Sequence, residues 1–446
     1  MGVSWAGENR HIAVIGSGVA GLSAAWLLSK RYRVTLFERD RRLGGHSNTL
    51  DVPTPDGVVP VDTGFIVYNN RTYPNLTALF EHLDIASYGS DMSFGASIDG
   101  GALEYSSASL GGFIGQPANL VRGRYWSMLR DILRFYQEAP KLLDRSDLEG
   151  QTLGEYLDAN GYSTAFVDDH LLPMGAAIWS TTSRQMRAYP LIAFVRFFAS
   201  HGLLSLNVLK RPRWRTVLGG SRMYVARLAD GLDIRLGADI ATILRRPEGV
   251  EIVHADGQCE QFTDVVIATH ADQALRLLGD ADATERSVLG AFTYTDNTAV
   301  LHTDATLMPK RRRTWASWNY IGDTGTGEDT QLCVTYWMNR LQQLSTRTQV
   351  FLTLNPTRPI AEGHMHQAIA YTHPHFDHAA LTAQRELPGL QGRRNTWFAG
   401  SYFGHGFHED ALKSGLEAAE VLGGVMRPWA TSAAATRQVR LPEAVA

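Results

Sequence analysis

At 446 residues the chain is too long for one ordinary core and suits two interleaved domains. With 44% hydrophobic and 20% charged residues it has the composition of a globular protein, not a disordered one. Its 42 basic and 45 acidic side chains leave a formal charge of -3, which argues against nucleic-acid binding driven by net charge.

Residues 11 to 38, HIAVIGSGVAGLSAAWLLSKRYRVTLFE, read as strand, glycine turn, helix and strand. His11 to Ile15 is a short apolar run suited to a buried parallel strand, and Val19 to Lys30 carries helix formers. Gly16, Gly18 and Gly21 fall on the turn between them. The first permits the tight turn, the second lets the backbone approach a pyrophosphate, and the third lets helix and strand pack closely. Free N–H groups at the helix start then face the phosphate oxygens. Glu38 ends the second strand, where a carboxylate accepts both ribose hydroxyls of an ADP moiety. A glycine-rich turn without a ligand is the alternative. NAD and FAD both carry ADP, so this motif alone does not separate them.

The same glycines break the first apolar run in a way that a secretory signal lacks. The later run LIAFVRFFASHGLLSL is interrupted by Arg196 and His201 and is too short to span a bilayer. Cys259 and Cys333 have no metal-site spacing, cannot form a disulfide framework and read as small core residues in a reducing compartment. A cytoplasmic protein is expected.

After Glu38, the stretch RDRRLGGHSNT carries Arg42, Gly44, Gly45 and Thr49, and VDTGFIVY follows with Asp62 and Gly64. This resembles the flavin-containing amine oxidase and phytoene desaturase superfamily, whose pattern after the ribose glutamate is an arginine, a Gly-Gly pair and a threonine. The resemblance implies FAD and an α/β fold: a Rossmann-like, glutathione-reductase-like FAD-binding domain interleaved with an α+β substrate domain. It assigns Arg39 and Arg42 to the cofactor site. His46 stands where amine oxidases usually have an arginine, and Asp40 replaces another; an imidazole is charged only part of the time at neutral pH.

Three later segments extend the resemblance. GGSRMYVARLADGLDIRLGADIATI, from Gly219, is similar to the family's return to the cofactor domain, which implies that the Ile240 backbone contacts adenine. TDVVIATHADQAL, from Thr263, looks like the family's small-residue turn, with His270 in its last place. WFAGSYFGHGFHEDALKSGLEAAEVL, from Trp397, matches the C-terminal flavin motif: a strand, Gly400, a loop, then a helix with Ala411, Ser414 and Gly415. Helix N–H groups near His408 and Glu409 would face the flavin C2 carbonyl, and the positive helix end would stabilise reduced flavin. No cysteine stands at that strand end, so the FAD is expected to be non-covalent.

GHGFHED, GGHSNT, SWNY and HPHFDHAALTAQ together resemble one bacterial branch of NAD/FAD-binding proteins often encoded beside cyclopropane-fatty-acyl synthases. That resemblance points to an acyl-lipid substrate. The expected division is an FAD-binding domain from residues 1-75, 210-280 and 392-430, a substrate domain from 76-209 and 281-391, and a flexible tail, 431-446.

AYTHPHFDHAA, from Ala370, spells H-x-H-x-D-H with His373, His375, Asp377 and His378, the spacing by which metallo-β-lactamase-type hydrolases hold two metals. Too little chain follows to build that fold, so no metal is expected. The segment reads as a surface or hinge whose histidines cap and hydrogen-bond locally; a share in the substrate pocket is the alternative.

His405 and His408, in the loop expected to face the flavin, are the candidates for proton handling; ordering that loop is their alternative role. Tyr402 and Phe403 suit an aromatic wall or core packing. No lysine matches the one that positions water at flavin N5 in amine oxidases, which leans away from amines. Apolar helix-rich stretches between 76 and 209 suit a hydrophobic small molecule or lipid, or an ordinary core. KRPRWR at 210–215 and KRRRTW at 310–315 suit a peripheral membrane contact or a solvated surface.

The expected activity is FAD-dependent dehydrogenation of a hydrophobic, fatty-acyl lipid substrate by hydride transfer to flavin N5. Oxidation of a small amine, and a non-catalytic FAD-binding partner of a lipid-modifying enzyme, are the alternatives. Oxygen, a quinone or another electron acceptor would each suit reoxidation.

Overall fold

The computed structural model describes residues 10–148, 150–205, 211–323 and 333–430. The tail at 431–446 and Lys210 of the first basic run lie outside them.

A five-stranded parallel sheet runs in the order Asp233–Leu236, Arg33–Glu38, His11–Ile15, Asp264–Ile267, Thr396–Phe398. Its strands are short apolar runs because both faces are covered: Ile12, Ala13, Val14, Val265, Val266 and Ile267 are fully buried. The chain enters at the centre, fills one side and later returns to the other. A crevice therefore opens beyond the carboxyl ends of His11–Ile15 and Asp264–Ile267, where such sheets place their ligands.

The helix Val19–Leu28 is buried on every side, as an apolar helix without a polar face must be. It ends two residues short of the predicted Lys30, whose ammonium turns back over the Trp26 ring at 4.1 Å. The last helix, His408–Gly423, packs along it. A Cβ on Gly415 would stand 2.1 Å from the Ala20 carbonyl oxygen.

A second, seven-stranded sheet carries the other half of the molecule. Its order is Met365–His375, Thr293–His302, Phe351–Leu354, Cys333–Trp337, Trp318–Gly322, Phe94–Ile98, Leu103–Ser106. All neighbours are antiparallel except Phe94–Ile98 with Trp318–Gly322. The apolar run LIAFVRFFAS forms the helix Leu191–Ser200 and turns Phe194, Phe197 and Phe198 inward beside Trp179. Ordinary core packing accounts for its composition. Cys333 is buried as expected, whereas Cys259 is exposed on a strand of the small antiparallel sheet and is no core residue.

That small sheet, Ile240–Arg246, Gly249–His254 and Cys259–Phe262, is tied down by a buried cation. The Arg245 guanidinium, 0% exposed, meets Glu285 at 2.6 Å and Asp280 at 2.5 Å. Glu285→Ala leaves this buried charge to Asp280 alone and should cost about 3 kcal/mol, read as a lowered denaturation midpoint. An unchanged midpoint would mean that Asp280 alone satisfies Arg245.

Candidate functional site

The glycine turn after His11–Ile15 leaves a bare cradle. Gly16 adopts φ +97° with its missing Cβ 2.8 Å from the Ala268 carbonyl oxygen, and a Cβ on Gly21 would stand 1.8 Å from the Gly16 oxygen. A Cβ on Gly18 would meet nothing within 4 Å, so the backbone there borders open space. No side chain caps the helix that starts at Val19, and its first turn carries no acid. Its N-terminus is thus presented for an anion.

Ser17, between the glycines, sets the rest. Its backbone N–H and its hydroxyl both donate to Glu38 Oε2, at 2.8 and 2.5 Å, while Asp40 N–H donates to Oε1 at 2.9 Å. The Glu38 carboxylate is held at the strand ends with lone pairs left for a ribose. The Ser17 carbonyl accepts from Gly44 N–H at 3.1 Å, which draws the second glycine pair against the first. A Cβ on Gly45 would lie 3.2 Å from Gly18 Cα. Arg42 donates to the Gly45 carbonyl at 2.8 Å, and Arg39 is exposed beyond Glu38. Ala238 N–H donates to the Glu38 carbonyl at 2.9 Å, which brings the strand opening at Ile240 beside that carboxylate.

At the other end of this crevice, ring side chains from both sheets meet. The His46 ring stacks on Tyr371 at 4.8 Å and lies 5.4 Å from His373 and 6.2 Å from His270. Tyr371 Oη accepts from Asn48 Nδ2 at 3.0 Å and shares a hydrogen bond with Thr63 at 2.9 Å. Asn297 Nδ2 donates to His373 Nδ1 at 3.0 Å, which leaves the proton of the neutral ring on Nε2. His270 lies flat on Tyr294 at 4.4 Å. His408, the first residue of the last helix, stacks on Phe65 at 3.8 Å and meets Tyr224 Oη at 2.7 Å.

Burial keeps these imidazoles neutral. It pushes His408 down to about 3 and His373 to about 4, the latter helped by His270. His46 falls well below the usual imidazole value, first through burial and then through His373, His270, His408 and Arg42. His46 Nε2 is buried without a hydrogen-bond partner. An orphaned polar atom one residue beyond the glycine cradle is what a molecule bound in the crevice would satisfy. The cradle, the uncapped helix and Glu38 fit an FAD.

The structure brings His46 and His408 together and turns His405 away, its ring 6.4 Å from Phe197 and its N–H donating to Asp410 at 2.9 Å. Tyr402 is no open wall: it is fully buried against Phe292 and Phe403, with its hydroxyl unpartnered. Phe403 is only partly buried. Glu409 spends its carboxylate on Asn75 and Leu76, at the start of the helix Pro74–His82, so towards the cradle it offers its backbone. Gly400 is pinned by Ser414, whose hydroxyl accepts from its N–H at 2.9 Å.

The H-x-H-x-D-H segment divides. Asp377 caps the helix His378–Gln384 through Ala380 N–H, and His378 is exposed, as a surface reading expects. His373 instead faces the ring cluster, so that reading fails for it. Among the described residues no group of three His, Cys, Asp or Glu side chains is placed to hold a metal ion. Tyr371, Asn297, Tyr224 and Phe65 were not singled out from the sequence. The alternation of Tyr371 and His373 along one strand was the available signal, since such positions share a face.

Glu38→Ala should leave the fold intact and weaken FAD retention about tenfold to a hundredfold, the worth of hydrogen bonds to a charged acceptor. Flavin released on ultrafiltration measures it; unchanged retention would remove Glu38 from the site.

The sequence model of flavin containing amine oxidoreductases matches residues 19–422. A fatty acid isomerase from P. acnes shares the fold at a TM-score of 0.62, with 16% identity over 93% of this chain and 98% of that one. Cyclohexylamine oxidase from Brevibacterium oxydans does so at 0.67, with 13% identity over 93% and 99%. Carotenoid phi-ring synthase from Streptomyces griseus is 40% identical over 80 residues, 18% of this chain and 15% of that protein. The chain thus matches about 15% of the length of the curated relatives. The chain belongs to the flavin containing amine oxidoreductase family.

Proposed function

We propose that this enzyme dehydrogenates a hydrophobic, fatty-acyl lipid substrate, with residues 76–209 and 281–391 providing most of the substrate's surroundings. The observation that carries this reading is the neutral ring cluster around His46. With the three neighbouring imidazoles neutral, the charge that acts on His46 is that of Arg42, and it opposes a further positive charge. An ammonium ion would meet that opposition among neutral rings, whereas an acyl chain brings no charge. The fatty acid isomerase that shares the fold supports the substrate class by analogy of fold.

FAD, when bound, supplies the hydride acceptor at N5. Tyr371, Phe65 and Tyr294, each stacked on a histidine of the cluster, surround the site with apolar rings that exclude water. Dehydrogenation also releases a proton from the neighbouring carbon, and His46 Nε2, neutral and without a partner, is the atom placed to take it. Asn48 and Thr63 hold the Tyr371 ring on which His46 stacks, and so fix its angle.

Anaerobic bleaching of the bound flavin by phospholipids, with polyamines and aromatic amines in parallel, tests the proposal. Reduction by lipid alone is expected. Reduction by amines alone would place the enzyme with the amine oxidases, and reduction by neither would favour a non-catalytic partner of a lipid-modifying enzyme.

His46→Ala should retain FAD and slow lipid-driven reduction about a hundredfold or more. Because the His46 pKa is depressed from 6.5, its neutral form persists as pH falls, and activity is lost only on passing below that depressed value. The reduction rate should therefore be flat from about pH 6 to 8. An acid limb centred near 6.5 would exclude His46 as the base.

Among the described residues no helix is long and apolar enough to cross a membrane. On this reading the enzyme works from the cytoplasm and reaches its lipid through a surface contact.

A further inference from the structure

One face of the molecule takes no part in the site. The helix Leu110–Ile114, the 3-10 turn Pro117–Val121 and the first turns of the helix Gly123–Glu138 follow one another beside the edge strand Leu103–Ser106. They expose Leu110, Phe113, Ile114, Leu120, Val121 and Trp126, with Leu110 and Val121 each 86% exposed. From Ser109 to Val121 the chain has no charged side chain. A contiguous apolar patch of this kind marks an interaction surface.

Several of its polar groups are satisfied from within. Ser109 Oγ accepts from Gly112 N–H at 3.0 Å, and the Tyr125 hydroxyl donates to the Phe113 carbonyl. Asn119 Nδ2 donates to the Ile114 and Glu104 carbonyls, each at 2.9 Å. Trp126 Nε1 donates to the Leu120 carbonyl at 2.8 Å. A loop bonded this way gives up little on leaving water, which is what a hydrocarbon medium demands. A protein partner, bringing its own donors and acceptors, makes no such demand.

The rim is basic. Arg122 donates to the Ala102 carbonyl, the Lys310 side chain lies against Gly101, and Arg313 adjoins Gly112; all three are exposed. Asp99, on the same turn as Gly101, acts on Arg124, which is itself paired with Asp169. The basic runs found in the sequence serve only in part. Arg311 is paired with buried Glu104, Arg312 stacks on Trp315 at 4.0 Å, and Trp315 is itself buried. In the other run Arg211 and Arg215 donate to Ser205 and Ser87. The exposed indole belongs to Trp126.

We propose that this face docks on the anionic surface of a lipid bilayer. Leu110 and Val121 enter the boundary between headgroups and acyl chains, Trp126 lies at the interface, and Arg122, Lys310 and Arg313 face lipid phosphates. The inference deepens the acyl-lipid reading by naming where the bilayer meets the protein, while the binding itself does not depend on what the site oxidises.

Sedimentation of the FAD-loaded enzyme with phosphatidylglycerol and phosphatidylcholine vesicles, against phosphatidylcholine alone, tests it. Binding to the anionic vesicles, weakened by salt, is expected. Leu110→Asp with Val121→Asp should lower the partition coefficient at least about tenfold. Replacing Arg122, Lys310 and Arg313 by Gln should lower it about a hundredfold at low salt, roughly fivefold for each charge. These side chains are exposed, and retained flavin absorption shows that each variant is folded.

Wild-type enzyme that binds neither vesicle, or variants that bind as well as wild type, would overturn the proposal. So would a Leu110/Val121 variant that changes the oligomeric state while vesicle binding stays the same, since the face would then join two copies of the chain. Flavin reduction by detergent-dispersed lipid without vesicle binding would overturn the docking and leave the acyl-lipid reading standing. Vesicle binding without flavin reduction supports the docking and counts against that reading.

Discussion

Two close contacts through glycine govern the site. Gly21 lets the first helix sit on the turn at Gly16, and Gly415 lets the last helix sit on the first at Ala20. A side chain at either would strike a carbonyl oxygen at 1.8 or 2.1 Å, so neither contact tolerates any other residue. The two contacts fix helices that start at Val19 and His408 against each other at one end of the parallel sheet. Two helix N-termini, each carrying roughly half a positive charge, then serve one anionic cofactor.

From that anchor the chain builds outward by short steps. Ser17 fixes Glu38 and Gly44 together, the pair Gly44 and Gly45 passes over Gly18, and His46 emerges as the next side chain. There it meets Tyr371 from the seven-stranded sheet, and Asn48 and Thr63 close the contact with hydrogen bonds to the same hydroxyl. On the proposed reading the junction between the two sheets is also the chemical site. Its histidines are neutral because burial disfavours their charged forms and each opposes charge on its neighbours. Stabilisation of negative charge is left to the helix ends.

What could be read from the sequence followed contact range. The strand His11–Ile15, the glycine turn and Glu38 at a strand end were legible because their spacing is fixed by local geometry. Ser17 was not, since nothing about a serine between glycines announces which carboxylate it will hold. The His46 cluster joins side chains more than three hundred positions apart, as in the Asn48 to Tyr371 bond, and no local pattern carries such a pairing. His373 drew notice through a metal motif whose fold is absent, and its true neighbours come from strand alternation. For Tyr402 the structure decides for core packing over an aromatic wall, and Cys259 is an exposed thiol where a core residue was expected. The patch from Leu110 to Trp126 was invisible because an exposed apolar side chain and a buried one are written with the same letters.

The central claim is that an acyl chain, not an amine, loses hydrogen at this site. The most direct measurement is mass spectrometry of phospholipid acyl chains after anaerobic incubation with a stoichiometric amount of the FAD-loaded enzyme. Loss of two hydrogens from one acyl chain is expected for each flavin reduced. Acyl chains of unchanged mass, alongside flavin that small amines reduce, would contradict it.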